Sequence, residues 1–107
     1  MISLKLLSLV VGEELVVMYD KPLRGYISYY TVDDVESVTL HYDKLTRLIK
    51  EYLQAQDIAF DIKRRPKQIS PVCVKTYGEN SKYYCAPTEL AAVIKALAHI
   101  VMINLDS

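Results

Sequence analysis

Two cysteines, two histidines and one dense basic run are the parts of this 107-residue chain whose types and spacing bear on chemistry. Cys73 sits in a segment where Val72, Val74 and Thr76 alternate with Cys73, Lys75 and Tyr77. After Gly78-Glu79-Asn80-Ser81 the chain returns through Lys82 to Cys85, which reads as a hairpin. A three-residue loop, Gly78 to Asn80 with Asn80 left-handed, sets Cys73 opposite Cys85 and makes a disulfide geometrically available. A four-residue loop, Gly78 to Ser81, sends the two to opposite faces. Met1 to Val11 has neither the basic start nor the small-residue cleavage site of an export signal. The expectation is therefore a cytoplasmic or host-cytoplasmic protein whose two thiols stay reduced. Two cysteines without paired histidines do not make the usual four-ligand metal set. His41 and His99 stand singly, and no glycine-flanked serine suggests a nucleophile elbow. No catalytic residue, metal or cofactor is assigned, and a non-enzymatic protein is expected.

The basic run is Lys63-Arg64-Arg65-Pro66-Lys67. Four cations in five residues can grip phosphates, each contact adding to a salt-dependent affinity. Lys75 and Lys82 extend the patch, and Tyr77, Tyr83 and Tyr84 offer rings on which bases can stack. The plainer reading of the same run is a solvated loop. Thirteen basic residues balance thirteen acidic ones, so no field of the whole molecule steers it toward a polyanion.

The hydrophobic pattern supplies the elements that must position these residues. Ile2, Leu4 and Leu6, then Leu7, Leu9 and Val11, alternate across a phase shift, which predicts a first strand with a bulge near Leu6 or Leu7. Gly12-Glu13-Glu14 turns the chain into a return strand, Leu15 to Tyr19, and Lys21 to Gly25 turns it into a third, Tyr26 to Tyr30. Thr31 stands as a helix N-cap with Asp34 three residues on. Val35, Val38, Tyr42, Leu45, Ile49 and Tyr52 then recur at spacings of three and four, without glycine or proline, which favours one long helix. The competing reading is a short strand from Val38 to Tyr42, with Asp43 capping a helix from Lys44 to Gln56. Ile58, Phe60 and Ile62 form a further strand ahead of the cysteine hairpin, and Ala86-Pro87-Thr88-Glu89 opens the last helix. The order β-β-β-α-β-β-β-α predicts a single α+β domain over residues 1–107, with a mainly antiparallel sheet of about six strands packed with two helices. In outline alone it resembles the profilin-like or longin-like layout; no motif links the chain to that group.

The last helix, Pro87 to Leu105, is more apolar than one contact face requires. Leu90, Val93, Ile94, Leu97, Ile100, Val101 and Leu105 fall on one side. The opposite side carries Ala91, Ala92, Ala96, Met102 and Ile103, with Lys95 and His99 as its main polar residues. Such a helix is buried on both sides, by its own chain or by a partner. Lys95 and His99 in its middle argue against a membrane span. Tyr29-Tyr30 and Tyr83-Tyr84 each put one ring on either sheet face, and exposed tyrosines suit protein contacts. The first expectation is thus a small protein-interaction or adaptor module, a homodimer with a further protein partner. Its interface would use Ala92, Lys95, Ala96, His99, Met102 and Ile103, with Tyr29 and Tyr84. The alternative is a nucleic-acid- or nucleotide-binding accessory protein using Lys63, Arg64, Arg65, Lys67, Lys75 and Lys82. No membrane association is expected.

Overall fold

From Leu15 onward the chain runs β-β-β-α-β-β-β-α, the predicted order, and one helix precedes it. The computed structural model describes residues 2–33, 36–78 and 81–106, with side chains as far as Met102. The elements are α1 (Leu4–Val11), β1 (Leu15–Lys21), β2 (Tyr26–Thr31), β3 (Val38–His41), α2 (Tyr42–Ala55), β4 (Phe60–Arg64), β5 (Val72–Thr76), β6 (Tyr83–Ala86) and α3 (Glu89–Asp106). The six strands form two antiparallel sheets, β1-β2-β3 and β4-β5-β6, in place of one.

Two expectations are corrected. The first segment is helix, not strand, because its ends are capped as helix ends. The Ser3 hydroxyl accepts from Leu6 N–H at 3.2 Å, and Gly12, at φ 78°, donates its N–H to Ser8 O at 2.8 Å. Only glycine takes that left-handed conformation without strain, so the helix stops there. Leucine-rich Leu4–Val11 has good helix propensity, and Leu7 is fully buried. The long helix also divides. Thr31 ends β2, Val38–His41 pairs with Tyr26–Tyr29 as β3, and α2 begins at Tyr42. β-branched Val38 and Thr39 suit the strand, and pairing satisfies backbone groups on β2 that a helix would leave open. Asp34 and Val35, assigned to the start of the long helix, lie outside the described residues, as does Asn80 of the hairpin loop.

The core runs through both halves of the chain. Ile27, Tyr29 and Leu40 from the first sheet, Leu45, Ile49 and Leu53 from α2, and Val72, Val74 and Ala86 from the second sheet belong to one buried cluster with α3. α2 is amphipathic as expected: its three buried residues recur every fourth position. α3 packs on β5 and β6 and also against α2, so its first apolar side and the Ala92 and Ala96 part of its second are covered by its own chain, whereas Met102 farther along stays exposed. Ala92 and Ala96 have no exposed surface at all. With layers about 10 Å apart, a least dimension of 19 Å fits one sheet layer and one helix layer. The far faces of the sheets are therefore left to solvent.

α2 is tied to the first sheet at its start. Tyr42 N–H donates to Gly25 O at 3.0 Å, and the Tyr42 hydroxyl donates to Asp20 of β1. Burial first, then this hydrogen bond and the Asp20 charge, push the Tyr42 phenol up to about 12.

Two outcomes follow from these contacts. Ala96→Glu places a charge where no surface exists, so it should destabilise the fold by roughly 3–5 kcal/mol and lower the urea midpoint. If it instead left stability intact, α3 would not be covered on that side. The Tyr42 phenol is neutral in the folded chain over a range where it ionises once unfolded. Its stabilising contribution is complete below pH 10 and is lost as pH rises toward about 12. Tyr42→Phe should flatten that alkaline limb in urea titrations repeated across pH 9 to 12, and a limb of unchanged steepness would refute the link.

Candidate nucleic-acid interface

The register of the second sheet sorts its side chains. Phe60, Ile62 and Arg64 of β4 align with Thr76, Val74 and Val72 of β5 in that order, and Tyr84 and Ala86 of β6 continue that row toward the helices. Asp61 and Lys63 align with Lys75 and Cys73, and Tyr83 and Cys85 lie beyond them on the solvent side. Alternation along the strands thus places cations and rings together on one face.

On that face Lys75 Nζ lies 5.0 Å from the Tyr77 ring centre and 5.4 Å from that of Tyr83. The Arg65 guanidinium lies 5.7 Å from the Tyr83 centre. Both rings remain well exposed, Tyr77 at 44% and Tyr83 at 49%, so they have surface left for a ligand. The Tyr77 hydroxyl donates to Asp61 across the sheet. That hydrogen bond, then partial desolvation and the neighbouring charges of Asp61 and Tyr83, raise the Tyr77 phenol above its ordinary value. Asp61 thereby orients the ring.

The Cys73–Cys85 pair lies on the same face and forms a disulfide, which corrects the expectation of two reduced thiols. The pairing is the one that a three-residue loop implies: Cys73 stands directly opposite Cys85, and Gly78 takes φ 118° at the start of the turn. Cys73 is 1% exposed, whereas Cys85 is partly exposed.

Of the basic residues named from sequence, Lys63, Arg65 and Lys75 meet on this face. Arg64 lies on the helix side of the sheet but remains exposed, and forms an ion pair at 3.0 Å with Glu89, a carboxylate that Lys50 of α2 also contacts. Lys67 is exposed in the β4–β5 connection at φ 80°. Lys82 is exposed, and its backbone pairs with Thr76, whose N–H donates to Lys82 O at 3.0 Å. Of the residues named for a helix interface, Ala92, Ala96 and Tyr29 are buried within the chain and offer no surface. Tyr84 faces inward and shares a hydrogen bond with His99 Nδ1; burial raises its phenol, partly offset by a hydrogen bond involving Thr76. Lys95 is exposed and donates to Cys85 O at 2.9 Å. Met102 is exposed, and the Ile103 side chain lies outside the described residues. The outward members of the two tyrosine pairs are Tyr30 and Tyr83. Strand parity carries that signal, since Tyr29 shares a face with Ile27 and Tyr84 with Ala86.

Sequence reasoning missed a cleft of about 620 Å³ between the first two-thirds of α2 and the start of α3, lined by Tyr42, Thr46, Arg47, Lys50, Thr88 and Glu89. Thr88 caps α3 there, its hydroxyl accepting from Ala91 N–H at 3.2 Å. Residues from two helices far apart in sequence build it, so no local motif could announce it. Lys50 and Glu89 in its wall satisfy one another.

Among the described residues, no three histidines, cysteines or acids gather as a metal site would need, and no helix is long and apolar enough to cross a membrane. Comparison with protein-family models, with curated proteins and with solved structures finds no match.

Proposed function

We propose that the protein is a small non-enzymatic binding module that takes single-stranded nucleic acid on the outer face of β4-β5-β6. The observation that carries this reading is the placement of Lys75 between the Tyr77 and Tyr83 rings, with Arg65 over Tyr83, on a solvent-facing sheet surface. The cations Lys63, Arg65 and Lys75 would neutralise phosphates. The rings would exchange their cation contacts for base stacking, which every base permits and a duplex does not. With both cysteines in a disulfide, neither is a thiolate nucleophile. His99 is occupied by Tyr84, which also favours binding over catalysis.

A labelled oligo-dT should bind with log affinity falling against log salt at a slope of about −2, from three phosphate contacts at about 0.7 each on a single strand. Lys75→Gln should reduce that slope by about 0.7. Tyr83→Ala should cost about 1–3 kcal/mol of affinity with the slope unchanged, and duplex of the same length should bind less tightly. No binding at low salt, or affinity indifferent to both substitutions, would defeat the assignment.

Self-association is the second reading, and Met102, 61% exposed on α3, is the observation in its favour. Lys95 rims the same helix. On this reading light scattering after size exclusion gives a dimer mass that Met102→Glu reduces to the monomer's. A wild-type monomer at all concentrations would exclude it.

A further inference from the structure

β6 is a four-residue edge strand, and what holds it differs between its two sides. Toward the helices it is anchored several times over: Ala86 is fully buried, Lys95 Nζ holds Cys85 O at 2.9 Å, and the Tyr84 hydroxyl meets His99. Toward solvent, the Tyr83 ring is contacted by Lys75 and Arg65, and these are weak, exposed interactions. The covalent tie on this side is the Cys73–Cys85 disulfide. It lies one pleat along from the Lys75–Tyr83 pair, on the same face. A cross-link at one directly opposed pair fixes the next pair in register, because a slip of one residue would turn every side chain to the other face.

Resting on the nucleic-acid reading, we propose that the Cys73–Cys85 pair is a redox gate for that face. Oxidised, it holds Lys75 against Tyr83 and keeps the face ready for a single strand. Reduced, it lets Tyr83 and Lys75 part, and the grip weakens. The reductant is a dithiol. Cys85 is partly exposed and Cys73 is not, so one dithiol thiolate attacks Sγ of Cys85. The Cys73–Cys85 S–S bond breaks, and Cys73 leaves as a thiolate that then takes a proton. The second thiolate of the dithiol attacks the mixed disulfide and releases Cys85. Two electrons pass to the protein, and the dithiol becomes a disulfide. Lys63, opposite Cys73, and Lys75, two residues on, place positive charge near the departing thiolate and favour its release.

The test compares the whole chain oxidised and after treatment with dithiothreitol, with the two states verified by thiol titration. Binding of labelled oligo-dT and backbone amide exchange are measured on both, alongside a Cys73→Ala, Cys85→Ala double variant. Reduction should speed exchange across residues 83–86 relative to α2, and weaken binding about fivefold, the effect of losing one stacked base. The double variant should match the reduced protein in both readouts and ignore the reductant. Equal exchange and equal binding in the two states would overturn the gate. So would equal binding with altered exchange, which leaves the nucleic-acid reading standing. If neither state binds oligo-dT but exchange at β6 still follows the redox state, the nucleic-acid reading fails and redox control of the hairpin survives it.

Discussion

The constraint on which the rest of this structure depends is that α3 must be covered on two sides. A helix with leucine, valine and isoleucine on one side and alanines on the other leaves little for water beyond Lys95 and Met102. It lies on β5 and β6 and against α2, and Ala92 and Ala96 lose all their exposed surface. α2 meets the need with a single stripe, Leu45, Ile49 and Leu53, each fully buried. Each sheet is a three-stranded meander followed by its own helix, β1-β2-β3 by α2 and β4-β5-β6 by α3. The helix pair joins these two halves into one core. Once α2 and α3 occupy one another, little apolar surface remains to cover the far side of either sheet, and those faces are free for other use.

What was legible in the sequence was whatever one element's own periodicity decides. The alternation of β4, β5 and β6 and the approximate limits of α3 come from local spacing, whereas the Cys73–Cys85 disulfide is one of two registers that the loop leaves open and overturns the expectation of free thiols. The failures fall where two periods fit the same residues. Ile2 to Val11 is apolar at so many positions that strand and helix patterns both pass through it, and the caps at Ser3 and Gly12 decide the outcome. Val38 belongs to a stripe that continues correctly into Tyr42, Leu45 and Ile49, so the helical pattern is genuine from Tyr42 onward and accidental before it. The unpaired side of β2 makes that segment a strand, and such a demand is tertiary.

Composition conceals the candidate site for a similar reason. Equal numbers of acids and bases give a neutral chain, and the run Lys63 to Lys67 reads as one patch. Folding splits it by strand parity. Arg64 turns to the helix side and its partner Glu89, while Lys63 and Arg65 lie on the outer face and are joined by Lys75, Tyr77 and Tyr83 from the neighbouring strands. A patch assembled across three strands has no signature in any single window of sequence.

The two sets of charges in this sheet also differ in what they contribute. On the inner side Glu89 answers both Lys50 and Arg64, an ion-pair network that binds α2, α3 and β4 together at a point partly shielded from water. On the outer side Asp61 is committed to the Tyr77 hydroxyl, and the cations rest on aromatic rings. A cation over an exposed ring contributes only about 0.5–1 kcal/mol, little more than the side-chain freedom lost in placing it. Stability alone is therefore a weak reason to gather Arg65 and Lys75 around two open tyrosines. The arrangement does more for recognition, because a ring already oriented and cations already gathered on one face have less freedom left to lose when a ligand binds.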